Sequence, residues 1–457
     1  MPFRKVLVAN RGEIAVRIVR ACRDLGIPTA VAHSDVDADS LAVRLADDAI
    51  CVGPGPAARS YLNVPALLYA CAKTGADAIH PGYGFLSEDA DFAEACRSVG
   101  VTFIGPAPQA IRLMGDKIGA RSAMAAAGVP VFPGSPGPVT DARSAADFAG
   151  AVGYPVVLKA AAGGGGRGLR QVNAAAEMAT ALPQLRDTAR SLFFDERVYL
   201  EKFVPAARHV EVQILADGSG NVVHLGERDC SIQRRHQKLA EESPSTQLSA
   251  AMRAELCEAA VRGAASIGYQ GAGTMEFLLD QEGDFAFLEM NTRVQVEHPV
   301  TELRTGVDIV RWSILLAAGE KLDFDQTGIA CTGHALECRI NTEDPARQWQ
   351  GSSGRLDAFQ PPNGSWVRVD THGFPGYFIP PHYDSLLAKV IVVGATRDET
   401  LVRMRRALAE FEVTGVRTTL PFHRQLMDHP EFVAGTHRLD FVDRFLTPEG
   451  VLRVSDG

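Results

Sequence analysis

The chain of 457 residues lacks the marks of several protein classes. No apolar run reaches the ~18 residues of a membrane span, so no membrane association is expected. The opening "MPFRKVLVANRGEIAVRI" runs straight into a strand-then-helix pattern. It has no unbroken apolar core and no small-residue cleavage site, so a cytoplasmic protein is expected. The cysteines Cys22, Cys51, Cys71, Cys96, Cys230, Cys257, Cys331 and Cys338 form no C-x-x-C pair. That excludes zinc-ribbon and thioredoxin-like readings and leaves free, mostly buried thiols. A basic excess is also missing: the formal net charge is -9, which argues against nucleic acid as a partner. Local basic clusters still admit small anionic substrates. What remains is an ordinary globular composition, 46% hydrophobic and 22% charged, with core material for roughly three domains of ~150 residues.

The first ~115 residues alternate strand and helix: "KVLVAN", a helix with Ile14, Ile18, Cys22 and Leu25 on one stripe, then "PTAVAHS". This is parallel α/β patterning. Its first turn, "NRGE", has a single glycine, too few for a dinucleotide turn. "VFPGSPGPV" reads as a linker, followed by a helix, "YPVVLKA", "AAGGGGRG" and "LRQV". Paired strands come next: "HVEVQIL" with "VVHLGERDC", and, after a helix of ~18 residues, the hairpin "GTMEFLLDQEGDFAFLEMN". The last ~120 residues read as a separate α+β unit. It holds "HALECRIN", "LLAKVIVVG" and a helix capped by Thr396 and Glu399 with Leu401, Met404, Leu408 and Phe411 as its core face.

In "EMNTRVQVEHPVTE", Glu289, Asn291, Arg293, Gln295 and Glu297 fall on every second position. An extended chain would aim all five at one cavity. A two-residue turn at Glu282-Gly283 sets Glu276 directly opposite Glu289. At ~5 Å and an effective dielectric of ~20, two ionised carboxylates repel by roughly 3 kcal/mol. One is therefore protonated, or a cation sits between them. With Asn291 adding an amide oxygen, the set suits Mg²⁺ or Mn²⁺. Phe285 and Phe287, taken to share this face, argue against its full exposure.

Elsewhere the residues leave alternatives open. Gly163, Gly165 and Gly168 match G-x-G-x-x-G, but a strand-like "LRQV" follows instead of a helix; a phosphate-covering loop and a plain surface hairpin both fit. Lys159 on an apolar strand needs an anionic partner. His209, Glu211 and Gln213 alternate with Val210, Val212 and Ile214, which suits half-buried alternation as well as a working face. Arg234, Arg235, His236 and Lys238 form either a solvated charge run or an anion attractor. Glu337, Arg339 and Asn341 share one face of "HALECRIN", opposite Leu336, Cys338 and Ile340, and Arg339 beside Glu337 suits a structural ion pair.

"KVLVANRGEIAVRI", "HPGYGFLSE", "IRLMGDK", "KAAAGGGGRG", "ERDCSIQRRHQK", "GAGTMEFL" and "EMNTRVQVEHPVTE" together resemble the biotin carboxylase family of the ATP-grasp superfamily, from Lys5 to about Phe441. The resemblance implies a mixed α/β and α+β fold. Residues 1–115 would be an N-terminal (pre-ATP-grasp) α/β domain. Residues 121–318 would be an ATP-grasp domain with a mobile lid at about 131–204, and 335–445 a C-terminal biotin carboxylase domain. It implies that Lys117, Lys159, Gly165, Gly166, Glu201, Lys202, Val204, His209, Gln233, His236, Glu276, Leu278 and Glu289 hold ATP. Glu276, Glu289 and Asn291 would hold two Mg²⁺ or Mn²⁺ ions. Lys238, Arg293, Gln295 and Val296 would hold bicarbonate, with Glu297 as its base and Lys238 as a catalytic cation. Arg339, with Arg293 nearby, would stabilise the biotin enolate. The implied reaction is ATP-dependent carboxylation of biotin at N1′ through carboxyphosphate, the first half-reaction of an acetyl-CoA or related carboxylase of fatty acid biosynthesis.

No biotinyl "AMKM" stretch occurs. The resemblance therefore implies a free subunit, a homodimer, serving a biotin carboxyl carrier protein and separate carboxyltransferase subunits. Two departures stand out. "ARQWQGSSG" replaces the family's Phe-x-Pro-Ser-x-Gly turn, apparently one residue longer, and Ala162 replaces a glycine of some relatives. Rival readings are another carboxyphosphate-forming ATP-grasp ligase, such as a carbamoyl-phosphate-forming enzyme, and a catalytically silent nucleotide-binding subunit. The second would be expected to lack Glu297 or Arg339.

Overall fold

The computed structural model describes residues 3–163 and 168–453. Five short parallel strands come first: β1 (Val6–Val8), β2 (Thr29–Ser34), β3 (Asp48–Gly53), β4 (Ala78–His80) and β5 (Thr102–Phe103), in the order β3-β2-β1-β4-β5. The helix Gly12–Asp24 lies on this sheet with Ile14, Ile18 and Cys22 buried, the stripe its sequence spacing calls for.

Next, β6 (Val156–Ala160), β7 (Leu169–Val172) and β8 (Val198–Lys202) make a three-stranded antiparallel sheet in the order β7-β6-β8. The glycine stretch thus joins two antiparallel strands rather than a strand and a helix. Gly165 and Gly166 lie outside the described residues. The helices Ala142–Val152 and Ala175–Phe193 cover this sheet with a small core of its own. The second of them is absent from the sequence reading; Pro183 in its interior is a residue that normally breaks a helix.

One eight-stranded antiparallel sheet organises the rest. Its strands are β9 (Arg208–Ala216), β10 (Val222–Arg234), β11 (Gln237–Ser243), β12 (Gly271–Leu279), β13 (Phe285–Asn291) and β14 (His334–Asn341), then Leu386–Gly394 and Val367–Thr371. The order is β13-β12-β9-β10-β11-β14, followed by the Leu386 and Val367 strands. The last ~120 residues therefore have neither a sheet nor a core wholly their own: β14 pairs with β11, and Ile232, Leu239 and Ala240 of β10 and β11 join their core. Val210, Val212, Ile214, Phe277, Phe285 and Phe287 pack on one face under the helix Ala250–Ser266. Glu211, Glu276 and Glu289 take the other.

The β12–β13 hairpin corrects two details of the expected register. Its loop is three residues, closed by Asp280 N–H donating to Asp284 O at 2.9 Å, with Gly283 at φ 96°. A bulge at Leu288 then shifts the pairing, so Phe277 faces Phe287 but Glu276 still faces Glu289. The two offsets cancel. They also put Phe285 and Phe287 on the face away from Glu289, so those rings are no argument for the burial of the glutamates. A bulge beside a functional site re-aims side chains in this way.

The extended row also stops early. β13 ends at Asn291, and 292–297 is irregular until Glu297 caps the helix His298–Thr305. The atypical stretch 346–354 is a tight turn with Gln348 and Trp349 in the left-handed region. Trp349 is buried against Phe422, and Arg234 sits over its ring at 4.9 Å. All eight cysteines are free thiols. Among the described residues no helix is long and apolar enough to cross a membrane.

Candidate active site

A cavity of about 1040 Å³ lies between the polar face of the large sheet, the three-stranded unit and the N-terminal sheet. Register explains its floor. Glu276 of β12 faces Glu289 of β13 on one side and Glu211 of β9 on the other, so three glutamates stand abreast. Like charges so placed are costly unless cations reach them.

Each glutamate has its own cation. Lys117 Nζ donates to Glu289 Oε2 at 2.6 Å. Lys238 Nζ, from β11, donates to Glu211 Oε2 at 2.6 Å, Glu276 Oε1 at 2.9 Å and Glu297 Oε1 at 2.6 Å. Arg228, fully buried, donates from Nε to Glu211 Oε1 at 2.5 Å and spends its remaining donors on Gln213, Thr274 and Thr301. Burial pushes Glu276 up, but Lys238 and His209 outweigh it and hold the carboxyl well below its ordinary value. Lys117 does the same for Glu289. Of the two alternatives left open by the sequence, a protonated acid or a cation beside the pair, the structure has the cation, supplied here by the ammonium groups of Lys117 and Lys238.

The donor set nevertheless suits a hard cation. Glu276 and Glu289 are both ionised, and Asn291 adds its amide beside them, its Nδ2 donating to Glu276 Oε1 at 2.8 Å. His209, Glu211 and Glu276 also bring ligand atoms within 4.8 Å of one another. A metal arriving here would compete with Lys117 and Lys238, freeing their ammonium groups for phosphate oxygens.

Around the cavity the residues singled out in the sequence fall into two groups. Lys159 pairs with Glu201 across β6 and β8 and supplies the anion that its apolar strand called for. Gln233 Nε2 donates to His209 Nδ1 at 2.9 Å, which leaves His209 Nε2 facing Glu276 Oε2 at 2.9 Å. His236 sits in the two-residue turn between β10 and β11, with Arg235 and His236 both at positive φ. Val204 and Leu278 line the wall. Lys202 lines it too, but its ammonium turns to the carbonyls of Gly153 and Tyr154, at 2.8 and 3.3 Å.

The second group lies at the far end. Arg293 donates to Glu88 Oε2 at 2.8 Å, Asn291 Oδ1 at 2.8 Å and Gln295 Oε1 at 3.2 Å. Gln295 Nε2 donates to Glu276 Oε1 at 2.9 Å. Arg339 holds Glu241 through Nε at 2.5 Å and Glu297 Oε2 through Nη2 at 2.8 Å. Its pairing expected with Glu337 is absent, because Glu241 and Glu297 take the guanidinium instead. Glu297 is fully buried with one cation on each oxygen. Burial opposes its charge, and Lys238, Arg339 and Arg228 together hold the carboxyl below its ordinary range.

All the described residues predicted from the resemblance therefore converge on one cavity. The roles of Glu211 and Arg228 and the Glu241 anchor of Arg339 were missed. The polar alternation of "RHVEVQIL" pointed to Glu211. Nothing local marks Arg228 or Glu241, whose partners come from other strands.

Three family models match this chain: "Biotin carboxylase, N-terminal domain" over residues 2–111, "Carbamoyl-phosphate synthase L chain, ATP binding domain" over 116–325, and "Biotin carboxylase C-terminal domain" over 337–444. Biotin carboxylase 1 of Bacillus subtilis is 50% identical over 444 residues, 97% of this chain and 99% of that protein. Biotin carboxylase of Pseudomonas aeruginosa is 52% identical over 445 residues, again 97% and 99%. Among solved structures, the Campylobacter jejuni biotin carboxylase complex with β,γ-ATP superposes with a TM-score of 0.95 at 44% identity, covering 97% of this chain and 99% of that one. The biotin carboxylase domain of Hydrogenobacter thermophilus 2-oxoglutarate carboxylase, in complex with MgADP, ADP and bicarbonate, gives 0.93 at 45% identity, with 97% of each chain covered. With its three matched segments in that order and relatives alike along nearly their whole length, the chain belongs to the biotin carboxylase family.

Proposed function

We propose that the protein carboxylates biotin at N1′ on a carrier protein, using ATP and bicarbonate. The observation that carries the reading is the ion-pair chain Glu276–Lys238–Glu297–Arg339 in a cavity that Lys159, Glu201 and His209 also line. In this reading Lys117, Lys159, Glu201, Lys202, Val204, His209, Gln233, His236 and Leu278 hold the nucleotide. Glu276, Glu289 and Asn291 would hold Mg²⁺ or Mn²⁺, whose charge would offset that of the phosphoryl group being transferred.

Lys238, Arg293, Gln295 and the Val296 amide hold bicarbonate beside Glu297. With both oxygens occupied by cations, Glu297 is too weak a base for the task. Anionic substrates change that: bicarbonate and phosphate draw on Lys238, and the biotin ureido oxygen draws on Arg339. As the cations leave, Glu297 becomes more basic and takes the bicarbonate proton. Bicarbonate then attacks the γ-phosphate of ATP, giving carboxyphosphate and ADP. Carboxyphosphate yields CO₂ and phosphate, and phosphate removes the N1′ proton. Arg339 stabilises the enolate oxygen while the enolate captures CO₂.

The chemistry calls for a biotin carboxyl carrier protein and a carboxyltransferase as partners, within an acetyl-CoA or related carboxylase. Family likeness adds a second copy of the chain and a cytoplasmic location to the proposal. Against a carbamoyl-phosphate-forming ligase stand the matches outside the ATP-binding segment, over 2–111 and 337–444. An ATPase assay tests the reading. Hydrolysis should require bicarbonate, rise with free biotin and fall about 10²-fold or more in Glu297→Gln. Bicarbonate-dependent hydrolysis at the parent rate in that variant would remove Glu297 as the base.

A further inference from the structure

Behind the loop that carries Gln295, Val296 and Glu297 lies a lysine that the reaction scheme leaves without a role. Lys389, on the strand Leu386–Gly394, is fully buried. Its Nζ donates to the carbonyl oxygen of Val296 at 2.8 Å, lies 3.0 Å from Glu13 Oε1 and is 3.8 Å from Asp370 Oδ2. Glu13 in turn accepts from the Tyr83 hydroxyl at 2.5 Å, and both Glu13 and Tyr83 line the cavity. Glu337 belongs to the same buried cluster: it lies on the neighbouring strand, fully buried, with no hydrogen-bond partner on either carboxyl oxygen. The neighbouring strand positions Ala388, Val390 and Ile391 are apolar and equally buried.

A buried ammonium is costly, and an apolar side chain of similar volume would often serve stability as well or better. Here burial pushes the lysine down, and its carboxylate neighbours, Glu13 first and Asp370 with it, outweigh it, so the ammonium stays charged. Its one bond to a main-chain atom goes to the peptide that joins Val296 to Glu297. The side chains of the loop are well held, but few other bonds reach its main chain. Glu88 accepts from Thr292 N–H at 3.0 Å, and His298 Nδ1 lies 2.7 Å from Gln295 O. Neither fixes the peptide plane between Val296 and Glu297. A carbonyl held by an ammonium is a strong, directed bond, about twice a neutral one.

We propose that Lys389 is a positioning residue for bicarbonate: by clamping the Val296 carbonyl from behind, it sets the orientation of the peptide between the anion-binding amide and the base. The inference rests on the reading of Val296 and Glu297 given above. It concerns the bicarbonate end of the cavity alone, since Lys389 touches nothing at the nucleotide end.

The test is bicarbonate-dependent ATP hydrolysis by the full chain carrying Lys389→Met, with each substrate varied against saturating amounts of the other. The expected result is a split: the KM for bicarbonate rises tenfold or more while the KM for ATP stays within twofold. Because the substitution strands Glu13, the double variant Lys389→Met/Glu13→Gln is measured beside it and should show the same split if the single variant does not fold. Equal changes in both constants, or none, in a folded variant overturn the proposal. Loss of bicarbonate dependence in the parent protein would sink the assignment of the site and this proposal together. A bicarbonate-dependent parent with no split in the variants sinks this proposal alone.

Discussion

Among the glutamates that face one another across adjacent strands of the large sheet, two pairs invite comparison: Glu276 with Glu289, and Glu241 with Glu337. Backbone register treats the pairs alike, yet their charge states diverge. Lys117 and Lys238 reach the first pair, and both carboxyls are held below their ordinary value. In the second, burial pushes Glu241 up to about 7 even with Arg339 on one oxygen. Burial also pushes Glu337 well above its ordinary value, against Lys389, and Glu241 adds to the rise. Facing carboxylates are therefore not by themselves a metal signature. The number of cations delivered from other strands decides whether such a pair is an ionised ligand set or a protonated one.

The sharpest way to break this contrast is to withdraw the cation that Glu276 of the first pair shares with Glu211 and Glu297. Lys238→Met leaves Glu211, Glu276 and Glu297 without their common ammonium. Removing one partner of a buried ion pair costs about 3–5 kcal/mol. Urea unfolding should report a loss of that order, together with bicarbonate-dependent ATP hydrolysis too slow to measure. A loss below about 1 kcal/mol would mean that the three carboxyls had taken up protons instead, and that the first pair is no different from the second.

Much of this arrangement was legible in the sequence, and the reasons for the rest are particular. Alternation assigned the faces of β9 and β14 correctly, because a period of two survives in a regular strand. The Glu276–Glu289 pairing was reached through a loop one residue too short, which the bulge at Leu288 offset. The even spacing of Glu289 through Glu297 named residues that do line one cavity, but for the wrong geometric reason, since the chain leaves strand conformation after Asn291. What could not be read was which cation serves which acid. Arg228 reaches Glu211 17 residues away, Arg339 reaches Glu241 98 residues away, and Lys389 reaches Val296 93 residues away. Trp349, in the one loop that departs from the family, packs behind the hairpin that carries His236, a contact with no local signal either.

A smaller effect sharpens the second pair. Its folded-state carboxyls bind protons more readily than the unfolded chain, whose value is about 4.5. Their contribution to stability is therefore full below pH ~4.5 and drains away as pH rises towards and beyond neutrality. The first pair has the opposite sign and loses its contribution only as pH falls below that value. Glu337→Gln places a neutral group where the carboxyl is already neutral, so at pH 6 it should change stability by no more than about 1 kcal/mol. It should also flatten the decline of the urea midpoint between pH 5 and 7.5, because Glu241 no longer faces a second acid. A decline as steep as the parent's would show that Glu337 is ionised throughout and that the two pairs titrate alike.

The smallest expected effect comes from an ion pair that belongs to neither set. Glu88 holds Arg293 at 2.8 Å, but its side chain is 39% exposed, so water competes for both partners. Exposed pairs are worth about 0–1 kcal/mol, and Arg293 keeps Asn291 and Gln295 as acceptors when Glu88 is gone. Glu88→Gln should therefore leave the urea midpoint nearly unchanged. It should also release part of the guanidinium, so that bicarbonate-dependent hydrolysis keeps its rate within a few-fold and its KM for bicarbonate holds or falls. A large stability loss would mean that Glu88 does its work through the Thr292 amide, which it also holds at 3.0 Å, anchoring the start of the loop as Lys389 anchors its end.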